Sequence, residues 1–193
     1  MTNDNIEIEI RFPLDEKIFS ELREKLKKTA KFVKKSHQKD DYFTPVHRNF
    51  LDLNLPSEWL RIRTKDGKTM LNYKHWYYPD GVDSGTHCNE FETQVENPEQ
   101  LNKIFSALDF KKLLTVEKNR EIYIYNNQFE ISLDSVKNLG HFIEIEAKKN
   151  FGSIKQSREK LFDFAKSLGL DISNVDKKGY AFLMAKKKGL IKR

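Results

Sequence analysis

The chain begins with a segment in which apolar and charged residues alternate strictly. The apolar positions are Ile6, Ile8, Ile10 and Phe12, and the charged positions are Glu7, Glu9 and Arg11. Because successive side chains of a β-strand point to opposite faces, this pattern predicts a strand with one apolar and one ionic face. Proline cannot donate to a sheet ladder, so Pro13 is expected to end the strand.

Similar patterns predict seven further strands along the chain. They cover residues 59–65, 68–77, 88–96, 113–125, 128–134 and 141–148, with a short strand or turn at 41–45. Asp66-Gly67 and Asn126-Asn127 are typical of hairpin turns. Residues 79–86, rich in Gly, Asp and Ser, are expected to form a loop.

Helical periodicity appears between these strands. It predicts helices over 14–30, from Asn97-Pro98-Glu99 onwards, over 153–168 and, shorter, over 180–187. Eight short strands with interposed helices predict an α+β domain built on an antiparallel sheet, with closure into a barrel as an option.

The polar faces of the strands are ionic rather than merely hydrophilic. The residues concerned are Arg61, Arg63, Lys74, Glu90, Glu92, Lys118, Arg120, Asp134, Glu144 and Glu146, besides Glu7, Glu9 and Arg11. A sheet with one face in water would explain such alternation. Like charges on one strand face repel unless something neutralises them, so a shared ionic site is the competing interpretation.

Closure of the sheet with these faces inward would create a charged tunnel, with the apolar faces outside under the helices. Its six cations and seven anions suit a polyanion together with its metal. Arginine and lysine bind phosphate oxygens, and carboxylates bind Mg²⁺ or Mn²⁺. The pattern therefore indicates a metal-bound polyphosphate as the ligand.

Composition narrows the class further. Of the net charge of +6 in 193 residues, five charges lie in the basic segment 186–193, so a single domain at 1–185 is nearly neutral. Basic residues on the 14–30 helix indicate a solvated face, with a nucleic-acid patch as the alternative. We expect no specific nucleic-acid partner.

The sequence has one cysteine, Cys88, and lacks a long apolar run or leader pattern. These features predict a cytoplasmic protein away from membranes.

An ordered series of motifs resembles the CYTH proteins, also called triphosphate tunnel metalloenzymes. These motifs are Glu7-Ile-Glu9-Ile-Arg11, Tyr42-Phe43-Thr44-Pro45, Leu60-Arg61-Ile62-Arg63, Tyr73-Lys74, Glu90-Phe91-Glu92, Lys118-Asn119-Arg120, Leu133-Asp134, Leu139-Gly140-His141-Phe142-Ile143-Glu144-Ile145-Glu146 and Gly179-Tyr180-Ala181-Phe182-Leu183-Met184. Their last two members are most similar to the CyaB-type, class IV adenylyl cyclases. The resemblance implies an eight-stranded antiparallel tunnel with a charged interior and helices packed outside.

The resemblance also implies roles for individual residues. Metal ligands would be Glu7, Glu9, Asp134, Glu144 and Glu146; triphosphate would be bound by Arg11, Arg61, Arg63, Lys74, Lys118 and Arg120; catalytic groups would be Arg11, Glu90, Glu92 and Asp134. Arg11 replaces the usual lysine of the family. A guanidinium does not exchange its proton near neutral pH, so Arg11 suffices only if this position binds phosphate.

Three functions remain open. ATP cyclisation to cyclic AMP and pyrophosphate leads, hydrolysis of tripolyphosphate or thiamine triphosphate is second, and non-catalytic binding of nucleotides or polyphosphate is third. Trp59, Trp76, Tyr77 and Tyr78 are stacking residues for adenine or ordinary packing aromatics. The five histidines lack ligand spacing. The resemblance implies homodimer formation as an option.

Overall fold

The computed structural model of the protein describes residues 6–52, 56–78 and 86–191. In these ranges the chain forms nine β-strands, four α-helices and a short 3₁₀ helix at Ile172–Asn174. The strands are β1 (Ile6–Glu7), β2 (Glu9–Leu14), β3 (Lys31–Pro45), β4 (Glu58–Lys65), β5 (Lys68–Tyr77), β6 (His87–Gln94), β7 (Phe110–Tyr125), β8 (Phe129–Val136) and β9 (Gly140–Ala147). The helices are α1 (Glu16–Thr29), α2 (Pro98–Ala107), α3 (Ile154–Leu168) and α4 (Tyr180–Lys187).

The hydrogen-bonded order of the strands is β1-β6-β5-β4-β3-β7-β8-β9-β2. It starts and finishes on the N-terminal segment, because β1 and β2 are separated in sequence by Ile8 alone. This connectivity is the one expected for the predicted antiparallel tunnel, so the predicted fold class is confirmed. The strands number nine rather than eight because Ile8 interrupts the segment predicted as the first strand.

Pro13 does not end β2 as the sequence predicted. It lies inside the strand, where its Cα is paired with that of Phe142 on β9. Because β2 stands last in the strand order, proline is tolerated there, as it is on other edge strands. The predicted turns are confirmed: Asp66, Gly67, Asn126 and Asn127 all have positive φ, between 50° and 74°, as type I′ turns require.

The chain forms two compact units. The first comprises Met1–Ile6, His37–Glu117 and Lys178–Arg193, and the second comprises Glu7–Ser36 and Lys118–Lys177.

The second unit contains the larger apolar core. One face of β2, β9 and β8 supplies Ile10, Phe12, Ile143, Ile145, Ile131 and Leu133, all at most 3% exposed. Leu22 and Leu26 of α1 and Leu161 and Phe164 of α3 belong to the same cluster. Burying an apolar side chain of this size contributes about 1.5–3 kcal/mol to stability. The apolar residues of the alternating strands therefore hold both helices on the sheet.

The first unit repeats this arrangement on a smaller scale. Phe43 of β3, Ile62 of β4 and Phe105 of α2 are buried together, with Leu60 and Phe110 packed against them. The rings of Phe43 and Phe105 meet edge to face, with centroids 5.1 Å apart. Helix α2 therefore lies on the apolar face of these strands.

Local sequence signals set the helix ends. Asp15, Asn97 and Ser153 each cap a helix by accepting a hydrogen bond from a backbone N–H of its first turn. Ser153 and Gln156 form a reciprocal capping box. All four predicted helices are present, and α4 has the predicted bounds.

Strand β3 is much longer than the short strand or turn predicted at 41–45. It begins at Lys31, in a basic stretch directly after the helix predicted over 14–30, for which no strand was predicted. Its buried positions between 36 and 40 are Ser36, Gln38 and Asp40. Because these inward positions are polar, the strand lacks the apolar alternation that identified its neighbours.

The C-terminal basic segment begins inside α4. Lys186 and Lys187 form the last turn of that helix, whereas the predicted tail started at Lys186. Lys192, Arg193 and residues 79–85 of the predicted loop lie outside the described residues. No helix in the described part of the chain has the length and hydropathy needed to cross a membrane.

Candidate functional site: two ionic sheet faces

The second unit carries a row of acidic residues across three strands. Glu9 of β2 is paired with Glu146 of β9, which is paired in turn with Glu130 of β8. In an antiparallel sheet, directly paired residues project from the same face. The three carboxyl groups therefore share the face opposite the apolar core.

Burial and like charge perturb the acid at the centre of this row. Burial, together with the nearby charges of Glu9 and Glu130, raises the pKa of Glu146 to about 7, although Lys148 acts in the opposite direction. Lys148 Nζ donates to Glu146 Oε1 at 3.1 Å. Concentrated carboxylate oxygens of this kind fit a hard divalent cation. Within the described residues, however, no three acidic, histidine or cysteine side chains converge as a preformed metal site.

Arg11 occupies the next row and contacts three acids. Its Nε and Nη2 both donate to Glu144 Oε2, at 3.0 and 2.6 Å, and Nη2 also donates to Glu9 Oε1 at 2.7 Å. Its Nη1 donates to Asp176 Oδ2 at 3.3 Å. Arg11 therefore neutralises and orients two predicted metal ligands, Glu9 and Glu144.

Asp134 is completely buried and is held by two cations. Arg120 donates to both of its carboxylate oxygens, at 2.7 and 2.6 Å, and Lys118 Nζ donates to Oδ2 at 3.3 Å. Burial alone would raise the pKa of Asp134, but Arg120 and Lys118 lower it below its usual value. Arg120 Nη2 also lies 2.9 Å from Glu144 Oε1.

Glu144 therefore lies between Arg11 and Arg120. Burial opposes its ionisation, but these two guanidinium groups hold its pKa well below the ordinary value. Glu144 and Asp134 are ionised, whereas Glu146 carries the raised pKa. Glu7, also a predicted metal ligand, belongs to β1. Burial opposes the charge of Lys148, but Glu146, with smaller contributions from Glu130 and Glu7, raises the pKa of its ammonium group.

The first unit has an ionic face of its own, on β3, β4, β5 and β6. Asp40 accepts two hydrogen bonds from Arg63, at 2.7 and 2.8 Å, and lies 3.5 Å from Arg61 Nη1. Arg61 Nη1 also lies 3.4 Å from the hydroxyl of Tyr42. Although burial acts against the charge of Arg61, Asp40 and Tyr42 raise the pKa of its guanidinium. Both arginines are thus fixed in place by a buried carboxylate.

Glu90 connects the other predicted residues of this face. Lys74 Nζ lies 3.4 Å and Arg61 Nη2 3.7 Å from its carboxylate. The side-chain amide of Asn72 donates to Glu90, and also to Glu92 at 3.3 Å. Glu92 is exposed, whereas Asn72 is fully buried. The structure thus brings Arg61, Lys74 and Glu90 into contact.

Several residues of these faces were not predicted from the sequence. Asp40 lies on the misassigned strand β3, and its alternation with Tyr42 was the available signal. Asp176 follows the 3₁₀ helix and has no periodic signal. A third missed group lies outside the ionic faces: Glu121 accepts from Arg23 and from the hydroxyl of Tyr123 at 3.0 Å.

The predicted stacking aromatics lie in different environments. Trp59 is 6% exposed and meets Tyr42 edge to face at 5.8 Å. Tyr77 stacks between His75 and His87, at 5.1 and 4.8 Å, on the face opposite Lys74. Trp76, which is half-buried, alternates with these residues and projects from the same face as Lys74.

The histidines and the cysteine have packing contacts. The ring of His141 packs against that of Phe19 in a tilted arrangement, with centroids 4.3 Å apart, and its Nδ1 lies 3.0 Å from Ser135 Oγ. His37 lies 3.3 Å from Glu117. Cys88 is buried as a free thiol.

An antiparallel sheet with helices on its apolar faces and paired arginines, lysines and carboxylates on its ionic faces defines a CYTH-type protein. The family model of the CYTH domain matches residues 5–180, and the chain therefore belongs to this family.

Three known proteins illustrate the similarity. "Putative adenylate cyclase MJ0240" of Methanocaldococcus jannaschii is 34% identical over 179 residues, covering 91% of this chain and 96% of that protein. The PH1819 protein of Pyrococcus horikoshii OT3 is 30% identical with a TM-score of 0.78, covering 94% and 99% of the two chains. The Hippeastrum protein HpAC1, described as a "putative adenylyl cyclase" with a dominant triphosphatase activity, is 19% identical with a TM-score of 0.63, covering 95% of each chain, and shares the fold.

Proposed function

We propose that this protein is a divalent-metal-dependent enzyme that acts on a triphosphate, with conversion of ATP to cyclic AMP and pyrophosphate as the leading reaction. The archaeal relative with 34% identity carries the name of an adenylate cyclase. The family resemblance of the sequence motifs leads to the same reaction.

The observation that carries the proposal is the burial of paired charges on the ionic faces. Glu9, Arg61, Lys118, Arg120, Asp134 and Glu144 are each at most 9% exposed. Buried ion pairs are weak contributors to stability, and apolar residues of similar volume often serve better. Their presence on these faces supports a binding function for a highly charged ligand.

The cations are suited to phosphate oxygens. We propose that Arg61, Arg63 and Lys74 in the first unit, and Arg11, Lys118 and Arg120 in the second, bind the triphosphate. Asp40 and Asp134 hold arginine guanidinium groups in fixed orientations. Such fixed donors stabilise charge that develops on phosphate oxygens without needing to reorganise during the reaction.

The carboxylates would hold the metal. We assign this role to Glu7, Glu9, Glu144 and Glu146, with assistance from Asp134, and the metal to Mg²⁺ or Mn²⁺. The crowded row of Glu9, Glu146 and Glu130 fits a cation because positive charge would offset the burial and the like-charge repulsion that together raise the pKa of Glu146. A bound divalent ion supplies charge neutralisation for phosphate and leaving-group oxygens.

The residues of this chain divide the remaining tasks. Glu90 and Glu92 are proposed to position the attacking hydroxyl or water and accept its proton. Arg11 binds phosphate and orders Glu9 and Glu144, because its guanidinium keeps its proton near neutral pH. In either reaction the nucleophile attacks in line with the leaving oxygen.

Hydrolysis of tripolyphosphate or thiamine triphosphate is the second candidate. One aromatic residue favours it: Tyr77 stacks between His75 and His87 on the face opposite Lys74, so this adenine-stacking candidate is engaged elsewhere. Trp76 remains as a half-buried stacking candidate on the ionic face, and Trp59, which is paired with Lys74 on the same face, is buried.

Product analysis tests the proposal. The protein is incubated with Mg²⁺ or Mn²⁺ and, separately, ATP, tripolyphosphate or thiamine triphosphate. Cyclic AMP with pyrophosphate supports the cyclase, and orthophosphate supports the hydrolase. Tight binding without turnover would instead identify a non-catalytic polyphosphate-binding protein. Glu9→Gln should abolish metal-dependent turnover, whereas Glu99→Gln, an exposed acid on α2, should not.

The setting of the enzyme is also a proposal. We place it in the cytoplasm as a single CYTH domain over 1–185, with a homodimer as an option and neither a nucleic acid nor a membrane as partner. Size-exclusion chromatography with light scattering tests the dimer.

A further inference from the structure

Asn72 is a buried amide at the centre of the ionic face of the first unit. It lies on β5 directly opposite Arg61 of β4. It is fully buried, and Arg61 is 9% exposed. It lies two residues before Lys74 and projects from the same strand face.

The orientation of the Asn72 amide follows from its neighbours. Its Nδ2 donates to Glu90 Oε1 and to Glu92 Oε2. Since carboxylates paired with cations act as acceptors, the nitrogen must face them and the Oδ1 atom must point elsewhere. Oδ1 has no hydrogen-bond partner among the described residues.

Arg61 has the complementary deficiency. Its Nε is buried and has no hydrogen-bond acceptor in the described part of the chain. Its Nη atoms, by contrast, contact Asp40, Tyr42 and Glu90. Arg61 Nη2 and Asn72 Nδ2 approach the same atom, Glu90 Oε1. An unsatisfied donor and an unsatisfied acceptor are therefore carried by two side chains that meet at one oxygen.

The chemistry of these two atoms restricts what satisfies both. An ionised phosphate oxygen only accepts hydrogen bonds, so it satisfies Arg61 Nε and leaves Asn72 Oδ1 without a donor. A neutral O–H group accepts from Nε and donates to Oδ1. Buried polar groups without partners are costly and rare, which favours a ligand that serves both.

We propose that Asn72 Oδ1 and Arg61 Nε form a hydroxyl-binding subsite beside Glu90, which holds either a sugar hydroxyl of a nucleoside triphosphate or a water molecule. This inference rests on the proposed function, because it supplies the O–H group that such a reaction needs next to the phosphate-binding cations. Asn72 acts as a positioning residue for the hydroxyl group, whereas the neighbouring cations bind phosphate.

Ligand discrimination tests the subsite. Binding of ATP, 2′-deoxy-ATP, 3′-deoxy-ATP and tripolyphosphate is measured by calorimetry with Mg²⁺ for the wild type, Asn72→Leu and Met70→Leu. Leucine matches the shape of asparagine without its polar atoms. Met70 lies on the same strand face, two residues away, and serves as the control. Thermal unfolding checks that each variant is folded, and Asn72→Ser replaces Asn72→Leu if the latter is not.

Two results support the subsite and identify its occupant. For a sugar hydroxyl, the wild type binds ATP about fivefold to tenfold more tightly than one deoxy analogue, as expected for one hydrogen bond. Asn72→Leu then abolishes this preference and leaves the Kd of tripolyphosphate unchanged. For water, the wild type binds the three nucleotides equally, and Asn72→Leu lowers kcat for hydrolysis about tenfold without changing the Kd of tripolyphosphate.

Two results overturn it. Equal weakening of every ligand by Asn72→Leu, tripolyphosphate included, would show that Asn72 supports phosphate binding alone. No change in binding or kcat in a folded variant would show that it is structural. Wild-type protein that neither binds nor converts any triphosphate would reject the proposed function itself, and the subsite with it.

Discussion

Arg120 and Asp134 form a bidentate ion pair across β7 and β8, with both nitrogen–oxygen distances between 2.6 and 2.7 Å. The two residues are directly paired in the register of these strands. Because Asp134 is fully buried, its charge is stabilised by Arg120 and Lys118 instead of water. Asp134 therefore holds these two cations in place, and metal binding by Asp134 stays a proposal.

Removing the carboxylate should destabilise the protein strongly. Asp134→Leu leaves Arg120 and Lys118 close together without their shared counter-charge. We expect a loss of about 3–5 kcal/mol in the free energy of unfolding, as for other broken buried ion pairs. Urea denaturation measures it. Asp163→Leu is the control, because Asp163 is exposed and lies 3.9 Å from Lys166; a similar loss in both variants would contradict the prediction.

The hydrogen-bonding geometry of Arg11 predicts what lysine would do in its place. Arg11→Lys keeps the charge but cannot reach Glu9, Glu144 and Asp176 together. We expect a loss of about 1–3 kcal/mol in stability, with turnover reduced but its pH profile unchanged. The pH–rate profile is the decisive measurement. A new ionisation with a large gain in kcat would mean that this position transfers protons when it is lysine.

Divalent cations should stabilise the folded protein through the acidic row of the second unit. A bound ion adds RT ln(1 + [L]/Kd) to the stability, about 2.7 kcal/mol at a hundredfold excess over Kd. We expect Mg²⁺ or Mn²⁺ to raise Tm in the wild type and EDTA to reverse the shift. Glu146→Gln should remove most of the increase, whereas Glu99→Gln should retain it. An equal increase in both variants would place the ion elsewhere.

The ion pair of Arg23 with Glu121 predicts a contribution to acid stability. Burial raises the pKa of Glu121, but hydrogen bonds from Arg23 and Tyr123 outweigh it, so the net pKa is lowered. The pair therefore stabilises the fold at pH values above the unfolded pKa of Glu121, and this contribution is lost as the pH falls through the folded pKa.

Glu121→Gln should accordingly reduce the loss of unfolding free energy as the pH falls below about 4.5, near the ordinary pKa of a glutamate. Urea unfolding at pH 3 to 7 measures the effect, and Glu99→Gln should reproduce the wild-type curve. The same acidic decline in wild type and Glu121→Gln would assign the loss to other carboxylates.

The sequence predicted elements whose alternation involved apolar residues. The strand of Ile143 and Ile145 and the strand of Ile131 and Leu133 were recognised because one face of each is a core. The start of β3 was not, because its buried face consists of Ser36, Gln38 and Asp40. Period-two patterns identify a strand only when one of its faces is apolar.

The candidate site was predicted as a set of charges but not as a network. Glu144 and Arg120 were named from their strands, but their 2.9 Å contact joins side chains of β9 and β7, and alternation along a single strand does not predict it. Asp176 was not predictable, because it is far from Arg11 in the sequence and the two residues meet only in the folded structure. Whether the named residues bind metal and phosphate stays a prediction.

The strict alternation along β9 has an evolutionary consequence. Ile143 and Ile145 belong to the core, while Glu144 and Glu146 belong to the ionic face. Deleting one residue within this strand would exchange the two sets, placing carboxylates against α3 and isoleucines beside Arg11. The same alternation of residues therefore serves both folding and ligand chemistry. Because a point substitution keeps this alternation and a deletion does not, point substitutions are the accessible route by which this strand can change its specificity.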